Sequence, residues 1–512
     1  MAMAGAPQAE MSNLALVGVA TVAFLVFQAL RKSLTHSKLD AIPSVGIPGL
    51  LSGGFYVGAY NYIKNGREIT QEGFAKYPGK AFKVALANRW LVIINGRSMI
   101  DEVRKAVDDQ LSVAEATNSV LHLEYTLGYE QHHDPFQVAV IRTTLTRNIA
   151  VCFPSVRSEV IAAFGDLIPA KSDEWTSVPA METILQIVSR TSNRLFVGLP
   201  KCRDPEYIAI TTKFALDVVR DATVLHLVPA ALRPLATWMF GSLETATRNT
   251  MKHLGPILQH RIDMDDQYGR DWPNSERPND VISWLLDEAR GHPKRRTVRT
   301  LTRTILNLNF GAIHTTTQGF LHVLYNLAAY PQYAAPLREE IEAVVKVEGW
   351  TKAAMGKMVK LDSFLKETFR IIPGGAVGVI RAVLKDFTLS DGTTIPAGTL
   401  LGIPVLAEQH DEANYSNPDE FDPFRFSRMR EEVGEGTKHQ MITPSPDFLV
   451  FGIGRHACPG RFFAVNEMKM ILAHVLMTYD VKFENGMRPE DEWTALVMSA
   501  NTTAEVMFRK RA

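Results

Sequence analysis

From about residue 143 to 346, apolar residues recur at helical spacing, interrupted only by Pro-rich or polar breaks at 200–205, 229–234 and 272–278. That pattern commits the middle of the chain to an α-rich body. Strand signals lie on its flanks. Residues 81–95 carry β-branched and aromatic side chains around Asn88-Arg89 and predict a hairpin; 379–389 and 394–404 predict a second strand set, followed by a long irregular run to Pro446. The expected fold class is mainly α with a minor β region. With 512 residues, 46% of them hydrophobic and 21% charged, the chain can bury a sizeable core as one large domain or two. Its 55 basic and 55 acidic side chains cancel, which removes any whole-protein field for attracting nucleic acid. The three scattered cysteines, Cys152, Cys202 and Cys458, leave neither a disulfide framework nor a zinc cluster and place the bulk of the chain in a reducing compartment.

The N-terminus differs in kind. Residues 14–30 read LALVGVATVAFLVFQAL, uncharged and mostly apolar; as a helix they reach about 25 Å, enough to cross a slightly thinned bilayer. Arg31 and Lys32 follow at once and no basic residue precedes, so residues 1–32 are expected to anchor the chain in a membrane with the remainder on the cytosolic side. The alternative is a buried N-terminal helix. Residues 33–50 contain Ile42-Pro43-Ser44-Val45-Gly46-Ile47-Pro48-Gly49, a stiff hinge, and residues 51–512 form the expected catalytic domain.

The chemistry concentrates in Phe451-Gly452-Ile453-Gly454-Arg455-His456-Ala457-Cys458-Pro459-Gly460-Arg461. A thiolate that ligates a metal needs a loop of small residues and backbone donors to hold its charge, and Gly452, Gly454 and Gly460 supply the freedom. Residues 462–479 have helical apolar spacing, so a helix N-terminus would face the sulfur. The bland alternative is a buried cysteine in a Gly-rich turn.

The segment resembles the cytochrome P450 heme-binding signature through Phe451, Gly454, His456, Cys458 and Gly460. Lys366-Glu367-Thr368-Phe369-Arg370 is similar to the family's Glu-x-x-Arg, and Phe421-Asp422-Pro423-Phe424-Arg425-Phe426 to its Pro-x-Arg-Phe element, all in family order. Residues i and i+3 share a helix face, so Glu367 and Arg370 can pair and Arg425 can join as a second guanidinium; the resemblance implies a structural triad. The apolar pattern from 297 to 330, ended by Pro331, contains Gly311-Ala312-Ile313-His314-Thr315-Thr316-Thr317, similar to the family's distal-helix motif. A glycine and three threonines are expected to weaken that helix locally. Thr315 becomes the candidate hydroxyl for proton delivery. His314 stands where most members carry Asp or Glu, and reads either as a proton carrier that titrates near neutral pH or as a structural histidine bonded to a backbone carbonyl.

The resemblance implies the cytochrome P450 fold, heme b as cofactor with Cys458 as axial ligand, and cationic or donor groups for the propionates in His456, Arg455 and Arg381. The family's Trp-x-x-x-Arg has no match, leaving Arg142 or Arg147 as its replacement. The absence of a Gly-x-Gly-x-x-Gly fingerprint agrees with an external electron donor, NADPH–cytochrome P450 reductase, at the endoplasmic reticulum. Motif style is similar to fungal members, basidiomycete ones among them, and the small apolar stretch 373–379 lines the pocket in the family. The implied reaction inserts one oxygen atom from O2 into a terpenoid or steroid. Alternatives are a xenobiotic or aromatic hydroxylase, a heme-thiolate isomerase or dehydratase, against which Thr315 argues, and a non-catalytic heme sensor.

Overall fold

In a computed structural model the chain is described over residues 39–47, 54–86, 89–273 and 276–511. It forms two compact units, one from the residues up to Ser112 with Arg381–Ile403, the other from Val113–Ile380 with the residues from Pro404 onward. The expected catalytic stretch 51–512 runs through both. The anchor at 1–32 and the turn residue Asn88 lie outside the described residues, as do Pro48 and Gly49 of the hinge.

The first unit is built on the expected hairpin. Phe82–Ala85 and Trp90–Ile93 pair antiparallel, Phe82 opposite Ile93. The second of these strands continues parallel to Leu400–Ile403, within a five-stranded sheet that also includes Gly378–Val383 and Leu111–Ser112. Buried on both faces, Phe82–Ala85 and Leu400–Ile403 read as unbroken apolar runs apart from Lys83 and Gly402. Lys83 reveals what the proline segment does: its Nζ donates to the carbonyls of Leu39 and Ile42 at 2.5 and 2.6 Å, while its backbone bonds Pro43 and Val45. The segment predicted to be a hinge is thus stitched to the sheet over Leu39–Val45.

The second unit is the predicted helical body. Its axis is the helix Val298–Ala329, capped where Thr297 accepts from the Thr300 N–H and ended by Tyr330 ahead of Pro331. Leu301, Ile305, Ile313, Phe320 and Leu324 on it are fully buried. It packs against Ala180–Phe196, Pro205–Leu227, Leu243–Tyr268 and the C-terminal helix Arg461–Thr478. The helix is continuous through Gly311–Thr317, since burial on most sides outweighs the weak propensity of those residues. A strand at Thr176–Pro179 interrupts the expected helical run; it pairs with Glu505–Lys510, which also pairs with Tyr479–Lys482. Its partners are over 300 residues away, and nothing in four local residues announces them.

Between the helix Val359–Ile371 and the irregular run lies a buried charge cluster. Arg370 is fully buried and uses all five of its N–H groups: Nε and Nη2 fork onto Glu367 at 2.8 and 2.9 Å, Nη1 donates to the carbonyls of Gln409 and Pro418, and Nη2 also reaches the Glu420 carbonyl. Arg425 approaches the same carboxylate through Nε at 3.2 Å and donates to the carbonyls of Ser416, Asn417 and Glu420. The Asp422 N–H completes the set. The guanidinium forks thereby take up the carbonyls of Ser416, Pro418 and Glu420 in the irregular stretch and pin it to the helix. Gln409 carries the order onward, donating to the carbonyls of Phe369 and Arg370 and accepting from the Leu449 N–H. Removing the carboxylate would leave two guanidinium groups facing each other, one fully buried. Glu367→Ala is expected to cost about 3–5 kcal/mol in chemical unfolding. Arg370→Lys, which keeps the charge but loses the fork, should be destabilised in the same direction.

Candidate active site

The loop before the Arg461–Thr478 helix is closed by its own backbone. The Cys458 N–H donates to the Phe451 carbonyl at 2.7 Å, Gly452 N–H to Leu449, and Ala457 N–H to Gly454 across the single turn Gly454–His456. Gly452 and Gly454 sit at φ 72° and 67°, where a side chain is strained. Gly460 does not: its φ is −85°, and a Cβ there would meet Ile141 only at ordinary contact distance. Its contribution is its N–H, which with that of Arg461 donates to the Cys458 thiol.

Burial pushes the Cys458 thiol up, and the two N–H groups and the Arg461 guanidinium oppose that shift without overcoming it. The helix N-terminus therefore helps the anion, as expected from the sequence, but a cation bound at the sulfur is needed to hold the thiolate. Arg461 also ties the loop down, donating to the carbonyls of Cys458 and Ile442 at 2.9 and 3.1 Å. Its role was invisible in the sequence because both acceptors are backbone.

Arg142 reaches the same loop. It lies in a π-helical turn, Val140–Leu145, and its Nη2 donates to the Arg455 carbonyl at 3.4 Å. Such wide turns recur at functional sites because they re-aim a side chain. Arg142 is exposed and close enough for its charge to lower the Arg461 pKa, although burial is the larger cause. The other candidate, Arg147, falls beyond it in the helix Thr146–Leu167. In the turn, Arg455 is exposed and His456 half-buried. Arg381 belongs to the first unit, buried in the strand Gly378–Val383; burial pushes its guanidinium down to about 10 against the opposing charge of Asp108.

On the long helix, Gly311 and Thr315 are the exposed positions past the first turn, one helical turn apart on one face. Thr315 donates its hydroxyl hydrogen to the Gly311 carbonyl at 2.8 Å, which leaves its oxygen lone pairs to accept. His314 faces elsewhere, its Nε2 3.0 Å from the Thr212 carbonyl on Pro205–Leu227. A carbonyl only accepts, so Nε2 carries the hydrogen and the neutral ring keeps its lone pair on Nδ1. The Gly-rich stretch after Pro373 pairs closely with the C-terminal hairpin: Gly374 has φ 82°, and a Cβ on Gly375 would stand 2.9 Å from the Leu496 carbonyl oxygen.

A family model described as Cytochrome P450 matches residues 48–508. The chain belongs to the cytochrome P450 family. It is 43% identical over 482 residues to cytochrome P450 monooxygenase 103 of Postia placenta, covering 93% of this chain and 94% of that one. It is 35% identical to cytochrome P450 monooxygenase CYP512U6 of Ganoderma lucidum over 88% of both. The solved structure of retinoic acid-bound cyanobacterial CYP120A1 superposes on 92% of this chain and 99% of its own with a TM-score of 0.67 at 19% identity, a likeness of fold.

This P450 is a monooxygenase, and its cofactor is heme b. The donor set fits that group: one soft sulfur with two backbone N–H donors behind it, on a loop whose Arg455 carbonyl is met by Arg142. The other two thiols do not compete. Cys202 is buried with its thiol pushed up to about 11, and Cys152 is buried against the Asn279 carbonyl. Cys458→Ala should abolish the thiolate-type carbon monoxide spectrum and turnover together, while Cys152→Ala and Cys202→Ala leave both intact. An unchanged spectrum in Cys458→Ala would refute the ligand assignment.

Proposed function

We propose that this P450 oxidises a bulky apolar substrate, a terpenoid or steroid, in fungal secondary metabolism, using O2 and electrons from NADPH–cytochrome P450 reductase. Heme b supplies the activation of dioxygen and the insertion of one oxygen atom into a C–H bond. Oxygenase chemistry is supported above all by Thr315, a hydroxyl exposed on the open face of an otherwise buried helix with its lone pairs uncommitted. An isomerase or a heme sensor has no need of that group. The substrate class is supported by the small apolar run Ala376-Val377-Gly378-Val379. Within it Val379 holds φ 53°, a strained conformation for a β-branched residue of the kind found at ligand clamps. The fungal relatives support the biological setting.

The same reading takes residues 1–32 as a single-pass anchor in the endoplasmic reticulum membrane, with the catalytic region cytosolic. Among the described residues no helix is long and apolar enough to cross a membrane. Arg142, Arg455 and His456 are proposed to hold the heme propionates, and Phe451 and Gly452 to shape the loop that carries the ligand sulfur.

In catalysis Thr315 is proposed to accept a hydrogen bond from an ordered water and position it for proton delivery. His314, fixed through Nε2, would exchange a proton at Nδ1. Thr315→Ala should retain heme and substrate binding but divert several-fold more reducing equivalents to hydrogen peroxide. His314→Ala should slow product formation and change its pH dependence; a wild-type profile with full coupling would assign His314 to structure.

The class assignment is checked by reconstitution in microsomes. NADPH consumption and hydroxylated product should require added reductase, terpenoid or steroid skeletons should give a substrate-binding spectral shift, and linear fatty acids should do so poorly. Turnover confined to linear acids would overturn the substrate, and full-length protein in the soluble fraction would overturn the anchor.

A further inference from the structure

Three short helices in the second unit gather four metal-ligating side chains that the oxygenase chemistry does not use. They are Glu115 on Val113–Leu121, Glu124 on Leu123–Thr126, and His132 and His133 on Tyr129–His133. One ligand atom each from Glu124, His132 and His133 lie within 4.8 Å of one another. His133 Nε2 is 2.8 Å from Glu124 Oε1, and His132 Nε2 is 3.2 Å from Glu115 Oε1.

His132 gives the second, independent observation. Its side chain is only 7% exposed, and its Nδ1 is buried without a hydrogen-bond partner. Because an ionised carboxylate only accepts, the bond to Glu115 puts the hydrogen of a neutral ring on Nε2 and leaves a bare lone pair on Nδ1. A buried acceptor left empty is unfavourable, and a bound cation would satisfy it. An imidazole whose far nitrogen donates to a carboxylate is also the usual arrangement of a metal-bound histidine, its tautomer and orientation fixed from behind.

We propose that Glu124, His132 and His133 bind a divalent transition metal of the zinc class, with Glu115 as the carboxylate that orients His132. Two imidazoles and a carboxylate form a borderline nitrogen and oxygen set that suits zinc, with water completing four-coordination. Glu115, Glu124 and the ion sum to no net charge. The ion would tie together helices already held to the long helix by Asn307, which donates to Gln131 at 2.9 Å, and to the turn that precedes it by Arg295, which donates to Asp134 at 2.6 Å. Its role is structural, fixing the segment that leads directly into the Arg142 turn.

Equilibrium dialysis of the heme-loaded full-length enzyme against Zn2+ tests this, with metal counted per heme. Wild type and the exposed-histidine control His260→Gln should each retain one zinc, and zinc should raise their unfolding temperature. His132→Ala and His133→Ala should lose both effects, with the carbon monoxide spectrum reporting that each variant is folded. Glu115→Gln should weaken binding by about 10–100-fold. Absence of bound zinc in wild type, or equal retention in His132→Ala and His133→Ala, overturns the site.

Discussion

A sulfur that must carry negative charge while surrounded by protein sets the terms for the rest of this structure. Burial works against the charge, and backbone donors and one guanidinium only partly compensate. The surrounding architecture supplies that compensation with fixed dipoles, which cost nothing to reorganise. The start of the Arg461–Thr478 helix directs N–H groups at the sulfur, and two glycines in left-handed conformations bend the chain so that they can reach it. The Cys458–Phe451 bond then locks the bend. A loop with this much conformational freedom in its sequence is rigid because every turn is closed by a hydrogen bond.

The long helix follows a different logic. It is buried over most of its length, by aliphatic and aromatic side chains together with polar ones such as Thr302, Asn309 and Thr317, so it serves as a rigid beam. Past its first turn, Gly311 and Thr315 are its exposed positions. The exposed hydroxyl thus sits on an element that packing holds in place, and its bond to the Gly311 carbonyl keeps it oriented.

Much of this was legible in the sequence because the deciding signals are local. The helix at Val298–Ala329, its threonine cap and its proline stop, the hairpin around Arg89 and the helix after Cys458 all follow from periodicity and punctuation within a few residues. The Glu367–Arg370 fork is likewise an i, i+3 pair. What escaped depends on distant partners or on backbone atoms. The strand Thr176–Pro179 exists because the C-terminus lies beside it. Arg461 and Gln409 act through carbonyls and amides, which carry no residue signature. The glycines after Pro373 read as pocket lining, yet Gly375 is small because a carbonyl oxygen stands against it. The His132 and Glu115 contact crosses two short helices whose relative placement no local pattern specifies.

The Arg370 cluster has a consequence for the order in which the molecule assembles. Arg370 and Glu367 leave the ribosome together on one helix, but the carbonyl of Glu420 comes 50 residues later and Arg425 follows 58 residues after Glu367. Synthesis at about 5–20 residues per second leaves the fork incomplete for several seconds. During that interval a charged pair destined for full burial must remain hydrated, so its helix cannot dock finally. The thiol loop, later still and linked to this region through Gln409 and Leu449, finds its shape only after the guanidinium groups have found their acceptors. The thiol loop is therefore set after the guanidinium cluster on which it rests.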